Sequence, residues 1–368
     1  MASSSISQFG LQLLVVISLF HHLSNIAAAS ARKLIIISSN SSNSNSSSSD
    51  QSSSSNHYLH YHNGTLLTGR ITIHLLWYGN FKPSQRAIIS DFIASLSSSP
   101  ENNLQKHPSV STWWWKAIHN YYDFAGAPSS PGRLSLELGK QILDHNYTFG
   151  KSLSKNQIAQ LAAAAANKDD NNGRNAVNVV LTADDVAVDN GFCRSKCGTH
   201  GYSNENNTNY KGKKKNYYKK SAAYIWVGNS ESQCPGYCAW PFHQPPQKLK
   251  QKQNQSLITS PNNDMGMDGM VANFAGLLAA TVTNPFGNGY YYYKGGEGEG
   301  DYDDDDDDDG PLEAASACTG VYAKNAYLDL LVDPIVGASY NANGANGRRY
   351  LVPAIYNPIT STCSSTHI

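Results

Sequence analysis

The sequence predicts an α/β fold: a single globular domain of alternating strands and helices over residues 70–368, interrupted by polar loop insertions. Two observations support this prediction. Runs rich in β-branched and aromatic residues alternate with segments of helical periodicity, which is typical of α/β domains. When the polar tracts are set aside, the remaining sequence forms one continuous globular pattern. The strand order is not readable from the sequence.

The first elements follow from residue type and spacing. Residues 70–78 (RITIHLLWY) are β-branched and aromatic and are followed by Gly79, which predicts a strand. Residues 83–96 form a helix that starts at a proline, and a second helix follows Pro108. This second helix carries the consecutive tryptophans 113–115. Three adjacent side chains cannot share one helix face, so at least one tryptophan should be exposed or lie in a groove.

The later elements continue the alternation. Ser154 and Gln157 resemble a capping box that opens an alanine-rich helix extending to Ala166. Residues 176–181, 222–227 and 350–355 are predicted to be strands. Residues 268–283 are apolar nearly all round, which predicts a core helix.

Polar tracts predict solvated segments around and within the domain. Residues 38–55 are almost entirely Ser and Asn, so residues 30–69 are predicted to be a flexible spacer. Insertions are predicted near 204–220, 244–256 and 293–310, because these segments bury too little apolar surface to offset their ordering entropy. The first is rich in lysine and the last contains seven consecutive aspartates. The formal net charge is zero, so no basic excess indicates nucleic acid as a partner.

The N-terminus predicts export. Residues 11–20 form an apolar run and Ala27, Ala28 and Ala29 follow, so residues 1–29 are predicted to be a signal peptide cleaved after Ala29, although no basic residue precedes the run. The run is too short to span a bilayer, so no membrane association is expected after cleavage. N-glycosylation sequons agree with export, although an Asn- and Ser-rich chain contains such triplets by chance. They are Asn40, Asn45, Asn63, Asn146, Asn206 and Asn254.

Two cysteine clusters have the form Cys-x-x-x-Cys followed by a histidine. The even number of cysteines and an oxidising compartment favour three disulfides, with about fifteen pairings open. The alternative is a zinc site in which thiolates act together with His200 and His243. The six cysteines are Cys193, Cys197, Cys234, Cys238, Cys318 and Cys363.

Candidates for catalysis are few. Asp184 and Asp185 follow a predicted strand, and α/β sheets place their sites beyond the carboxyl ends of strands. A capped turn explains the same pair. His74, Asp268 and Glu313 are further donors without a spacing that indicates a site. No G-x-S-x-G motif and no phosphate-binding glycine loop is present.

Aromatic residues offer a binding alternative. Exposed rings stack on sugars, so Trp113, Trp114 and Trp115 are candidate ligand-binding residues. Core packing explains most of the aromatic residues equally well.

Several long motifs, in one order, resemble the plant EXORDIUM-like family, also called phosphate-induced proteins. They include PSVSTWWWKAIHNYY, GFCRSKCGTHG, YIWVGNSESQCPGYCAWPFHQP, GMDGMVANFAGLLAATVTNPFGNGYY and GASYNANGANGRRYLVPAIYNP. The resemblance runs from about Arg70 to Cys363. It implies an extracellular protein of the apoplast or cell wall, associated with growth, cell expansion and responses to brassinosteroid, phosphate and carbon supply. It implies no particular reaction.

A more local resemblance concerns residues 276–285 (GLLAATVTNP). They are similar to a helix of certain secreted zinc-peptidase-like proteins that reads H-E-x-x-E and leads into T-D-P. In that alignment Gly276 stands at the first histidine, Leu277 at the glutamate base and Ala280 at the later acidic ligand. Zinc catalysis needs three protein donors and a base. The resemblance therefore implies a degenerate zinc-peptidase-like core, without metal or cofactor.

Together these observations favour a secreted, non-catalytic protein that acts in growth regulation, either by binding a wall polysaccharide or a wall protein or by signalling through a receptor, which the sequence does not separate from binding. The alternative is an extracellular hydrolase, acting on glycans or peptides through Asp184, Asp185 or a histidine-centred metal.

Overall fold

A five-stranded mixed sheet forms the centre of the protein in a computed structural model, which describes residues 59–97, 108–125, 134–166, 175–189, 191–204, 221–243, 258–293, 311–323 and 330–365. The predicted signal peptide, the spacer up to residue 58 and the insertions after residues 204, 243 and 293 lie outside these ranges. So do the sequons Asn40, Asn45, Asn206 and Asn254, whereas Asn63 and Asn146 are exposed.

The described part of the chain contains strands of two to ten residues, five α-helices and two short 3-10 helices, Ser316–Cys318 and Ala345–Gly347. The strands are β1 (His60–Tyr61), β2 (Arg70–Tyr78), β3 (Ser135–Asp144), β4 (Ser152–Ser154), β5 (Ala176–Thr182), β6 (Ala187–Asp189), β7 (Gly198–Asn204), β8 (Ser221–Gly228), β9 (Tyr290–Tyr291), β10 (Leu331–Val332), β11 (Ser339–Tyr340), β12 (Ala342–Asn343), β13 (Arg349–Tyr350), β14 (Ile355–Asn357) and β15 (Thr362–Ser364). The helices are α1 (Pro83–Ser97), α2 (Val110–Phe124), α3 (Lys155–Ala165), α4 (Pro235–Cys238) and α5 (Met265–Thr283).

The central sheet has the order β3-β2-β5-β8-β7. Its first four strands are parallel, and β7 pairs antiparallel with β8 at one edge. Helices α1 and α5 contact each other. Helix α1 also contacts β3 at one edge of the sheet, and α5 contacts β7 and β8 at the other edge. Helix α3 contacts β2, β5, β7 and β8 from the opposite face. Because both faces are covered, β5 is buried at every position. The α/β prediction is confirmed at this level.

Helix α5 is the core helix that its composition predicts. It is long and apolar enough to span a membrane by composition, yet 83% of its apolar window is buried inside the protein. Asp264 caps its start by accepting a hydrogen bond from the backbone N–H of Met267 at 2.9 Å. The predicted capping box of α3 is also present, with reciprocal bonds between Ser154 and Gln157.

The C-terminal segment, residues 311–323 and 330–365, forms hydrogen bonds to helices α1 and α2. The Tyr350 hydroxyl donates to the Ile88 carbonyl of α1 at 3.0 Å, and the Trp113 indole of α2 donates to the Pro353 carbonyl at 3.0 Å. Residues 350–355, which the sequence predicts as one strand, are instead the end of β13, a stretch without regular structure, and the start of β14. Pro353 lies in that stretch and cannot donate to a strand ladder, which accounts for the difference.

The folded part begins before the predicted domain boundary at residue 70. Leu59, Leu66 and Leu67 are buried, and β1 pairs with β9. These leucines lie outside the Ser/Asn-rich tract, and their burial anchors the otherwise more exposed residues 59–69 to the core. Strands β3 and β7, which the sequence does not predict, carry polar residues and glycine because they lie at the two edges of the sheet.

Three disulfides are formed, as the cysteine count predicts. The pairs are Cys193–Cys234, Cys197–Cys238 and Cys318–Cys363, and no cysteine is free.

Candidate functional site

Helix α5 contains the segment that resembles a zinc-peptidase helix. Its residues at the positions of the first histidine and of the glutamate base, Gly276 and Leu277, make apolar contacts. A Cβ added at Gly276 would lie 3.0 Å from the Ala315 Cβ and 3.9 Å from the Pro353 Cγ. On the next position, the Leu277 Cδ1 lies against the backbone of Gly198 in β7. The segment around Ala315 therefore covers the helix where a first histidine would stand. Within the described ranges, no group of three or more His, Cys, Asp or Glu side chains is placed to hold a metal ion.

A buried polar cluster lies beside this helix. The His200 Nε2 of β7 is 2.6 Å from the Glu313 Oε2, and the two side chains are only 13% and 12% exposed. Asn284, which follows α5 directly, donates through Nδ2 to the other Glu313 oxygen at 2.7 Å and accepts from the Gly289 N–H at 2.6 Å. The cluster thus joins the sheet edge, the end of α5 and the C-terminal segment.

The charge state of His200 follows from its surroundings. Burial alone lowers the pKa of His200, but the Glu313 carboxylate outweighs burial and raises the pKa above its usual range. The Nδ1 of the ring is buried and has no hydrogen-bond partner among the described residues. The pair is therefore an ion pair at acidic pH, and it is already satisfied on the Nε2 side.

The alternative zinc site with His200 and His243 loses its thiolates. Cys193, Cys197, Cys234 and Cys238 are all oxidised. His243 lies beside α4, with its backbone N–H donating to the Ala239 carbonyl at 3.3 Å. The sequence predicts His200 as a partner of the cysteines and Glu313 as a donor without a defined site, and only the fold brings the two side chains together.

The acidic pair at the end of β5, Asp184 and Asp185, lies in a turn. Asp185 accepts hydrogen bonds from Lys151 Nζ at 2.5 Å and the Tyr147 hydroxyl at 2.9 Å. Burial raises the pKa of Asp185, but these two donors outweigh burial and lower the pKa overall. Asp184 contributes its backbone carbonyl, which accepts from the Ser232 hydroxyl at 2.6 Å. This is the capped turn that the sequence also allows.

Asp184 does have acidic neighbours across the sheet end. Burial raises the pKa of Glu231, and the carboxylates of Asp264 and Asp184 raise it further, against the opposing effect of Lys82. The Gln85 side chain donates to Asp264 at 3.0 Å. Asp184, Glu231 and Asp264 lie at the carboxyl end of the sheet, where α/β folds place their sites. Asp264, however, caps helix α5, and Asp184 lies in a turn.

The three tryptophans of α2 have different surroundings. Trp113 and Trp114 are 2% and 5% exposed, so both pack in the core. Trp115 is 37% exposed, and its ring lies edge-on to that of His119, with centroids 4.8 Å apart. Trp115 alone of the three offers ring surface to a ligand.

Comparison with known proteins identifies the family of this chain. The family model described as the phosphate-induced protein 1 conserved region matches residues 59–366. The chain belongs to this family. It is 55% identical over 311 residues to Protein PHOSPHATE-INDUCED 1 of Nicotiana tabacum, which covers 83% of this chain and 88% of that protein. It is 51% identical over 312 residues to Protein EXORDIUM of Arabidopsis thaliana, with coverage of 83% and 88%.

EXORDIUM-like 1 of Arabidopsis thaliana is 50% identical over 309 residues, covering 83% of this chain and 89% of that protein. No solved structure matches the chain. The family match begins at residue 59, where the described fold also begins.

Proposed function

We propose that this member of the phosphate-induced protein family is a secreted, non-catalytic protein of the apoplast or cell wall. It acts in growth and cell expansion, linked to brassinosteroid or nutrient supply, by binding a wall polysaccharide or a wall protein. The observation that carries the non-catalytic part is the closed face of α5, where Gly276 meets Ala315 instead of presenting a metal ligand. The family match supports the growth role.

Export is supported by the oxidised cysteines and by the leader in the sequence. Expression of the full chain with its own leader in plant cells tests this part. We expect the protein in wall washes, with a new N-terminus at residue 30 and no titratable thiol after denaturation. Recovery from the cytosol with reduced cysteines would contradict secretion.

Metal analysis separates the binding role from the hydrolase alternative. Purified secreted protein should contain substoichiometric zinc after dialysis against buffer without chelator. Stoichiometric zinc retained by the protein would favour the metallopeptidase-like alternative, because a resident catalytic metal stays bound through its protein ligands.

Polysaccharide binding is tested at Trp115. Co-sedimentation with insoluble wall polysaccharide should weaken several-fold on Trp115→Ala, since an exposed ring stacks on sugar C–H surfaces. Phe124→Ala is the matched control, because Phe124 lies at the end of the same helix and is 54% exposed. Equal binding by wild type and Trp115→Ala would move the sugar site away from α2.

A further inference from the structure

A small cleft lies between the start of helix α2 and the end of strand β15. The helix contributes Ser109, Thr112 and Lys116 to its walls, and the chain at the end of β15 contributes Ser364 and Ser365. The cleft is partly open to solvent, and the space that it encloses is about 10 Å³, which admits one oxygen atom or water molecule. The cleft can therefore hold one atom of a ligand whose remaining atoms stay at the mouth.

One wall of the cleft contains a buried hydroxyl that the fold leaves unsatisfied. Ser365 is 4% exposed, and its Oγ is buried without a hydrogen-bond partner among the described residues. Burying a hydroxyl without a partner costs free energy, so such a group in a folded protein calls for an explanation. An acceptor that enters the cleft would supply the missing hydrogen bond.

The opposite wall is the first turn of α2, a helix of 15 residues. The first N–H groups of a helix have no acceptor within the helix, and the helix dipole gives this end a partial positive charge. The Ser109 Oγ accepts from one of these groups, the Thr112 N–H, at 3.2 Å. The partial positive charge makes this wall favour a ligand that carries negative charge.

Three hydroxyls at this turn form a chain of hydrogen bonds. The Ser109 Oγ lies 3.1 Å from the Ser111 Oγ and 2.9 Å from the Thr112 Oγ1. Three hydroxyl protons serve these two contacts, so one proton is left to donate elsewhere. When the chain runs from Ser111 through Ser109 to Thr112, that proton belongs to Thr112, which lines the cleft. An acceptor in the cleft stabilises this direction.

Lys116 adds a full positive charge at the cleft. It lies one helical turn after Thr112, on the same face of α2, and its side chain is exposed. None of the residues that line the cleft is acidic. Hydroxyl donors, a helix start and a lysine around one small opening suit an oxyanion, because hydrogen bonds to a charged acceptor are the stronger ones.

We propose that this cleft binds an oxyanion, namely a phosphate, sulfate or carboxylate group, and that one oxygen of the group occupies the enclosed space. That oxygen accepts hydrogen bonds from the hydroxyls of Ser365 and Thr112, while Lys116 neutralises the charge that stays at the mouth. The same chemistry fits a free inorganic anion and the acid group of a charged sugar. Trp115 does not line the cleft, and the inference holds whether or not that ring binds polysaccharide.

Isothermal titration calorimetry on the purified full chain tests the proposal. The probes are inorganic phosphate, sulfate and galacturonate, each titrated in chloride buffer at constant ionic strength. We expect saturable binding of at least one probe, with a dissociation constant on the order of 1 mM. Binding of phosphate or sulfate alone supports a free inorganic anion, and binding of galacturonate supports an acidic sugar. Binding of none of the three would overturn the proposal and leave a water molecule as the occupant of the cleft.

Two lysines provide the matched variants. Lys116→Ala should weaken binding about tenfold, whereas Lys116→Arg keeps the charge and most of the affinity. Lys155→Ala is the control, because Lys155 is an exposed lysine in the first turn of α3, another helix capped by a serine. This control should bind the anion like wild type. Equal losses in Lys116→Ala and Lys155→Ala would mean that anions bind to lysines at helix starts in general, which contradicts the proposal.

Ser365→Ala tests the buried end of the cleft. The change removes a hydroxyl that has no partner among the described residues, so thermal unfolding without added anion should stay at the wild-type temperature or rise slightly. The anion that binds in calorimetry should raise the unfolding temperature of wild type and of Lys155→Ala, and much less that of Ser365→Ala. Equal stabilisation of wild type and Ser365→Ala by the anion would show that no ligand oxygen reaches the enclosed space, and the proposed site would be wrong.

Discussion

The His200 Nε2 lies 2.6 Å from the Glu313 Oε2 in a largely buried pair, although 113 residues separate the two in the sequence. Asn284 holds the second carboxylate oxygen of Glu313, so the carboxylate is fixed on both sides. The pair therefore connects the C-terminal segment to the edge of the sheet, beside the helix that resembles a zinc-peptidase helix.

Glu313→Gln should destabilise the protein more at acidic than at alkaline pH. The pKa of His200 is raised in the folded state, so its stabilising contribution is fully present below its unfolded value of about 6.5 and is lost as pH rises through the folded value. Removing the carboxylate should lower the free energy of unfolding by about 2–4 kcal/mol at pH 5 and by about 1 kcal/mol at pH 9. Urea denaturation at both pH values measures this.

Asp185→Asn is the control for the Glu313 experiment. Asp185 forms an ion pair with Lys151, but both side chains are well exposed. Its loss should change stability by at most about 1 kcal/mol. A pH-independent effect of Glu313→Gln would show that the pair contributes as a neutral hydrogen bond.

The free energy of unfolding should fall as pH rises from 4 to 6, because Asp268 is buried. Burial raises the pKa of Asp268 from 3.8 to about 6, although hydrogen bonds from Ser260 and Asn262 oppose the shift. Between these values the folded state keeps a proton that the unfolded state has lost, so the free energy of unfolding falls with pH. Relative to wild type, Asp268→Asn should gain about 2 kcal/mol between pH 4 and pH 7.

Denaturant titrations at pH 4 and pH 7 check the Asp268 prediction, with the exposed Asp189→Asn as control. The control should stay within about 0.5 kcal/mol of wild type at both pH values. If the difference between Asp268→Asn and wild type does not change with pH, the carboxyl is ionised in the folded protein throughout this range.

Local patterns in the sequence predicted local structure. The capping box at Ser154 and Gln157 involves residues three apart, and both of its hydrogen bonds are present. The apolar composition of α5 predicted a core helix because no exposed face is left for polar residues. The cysteine count predicted three disulfides, since oxidised cysteines pair completely.

Features that depend on distant residues were not predictable. The disulfide pairing and the His200–Glu313 pair require the strand order of the sheet, which periodicity does not encode. Strands β3 and β7 escaped prediction because edge strands tolerate glycine and polar residues. The tryptophan run predicted that one ring is exposed, but only the packing of α2 identifies Trp115.

Asn341→Ala should be among the most destabilising single changes in the C-terminal segment. Asn341 is fully buried, donates to the Tyr322 and Val352 carbonyls at 2.9 and 2.7 Å, and accepts from the Val352 N–H at 2.8 Å. Its removal leaves three buried backbone groups unsatisfied, which should lower the free energy of unfolding by about 3 kcal/mol. Thermal and urea unfolding measure the loss.

Asn343→Ala is the matched control for Asn341. Its side chain is partly exposed and donates to only one carbonyl, that of Pro108, at 3.0 Å. A loss of about 1 kcal/mol is expected. Equal losses in the two variants would mean that water satisfies the groups that Asn341 leaves.

Gly276→His should destabilise the protein and should not create a zinc site. Even a Cβ at this position lies 3.0 Å from Ala315, so an imidazole must displace the segment that covers α5, at about 1–3 kcal/mol. Gly276→Ala is the graded control, because the gain in helix propensity of about 1 kcal/mol offsets part of the contact. Calorimetric unfolding with and without zinc measures both effects. Stabilisation of Gly276→His by zinc would show that the covering segment opens readily and that the helix face still accepts a metal.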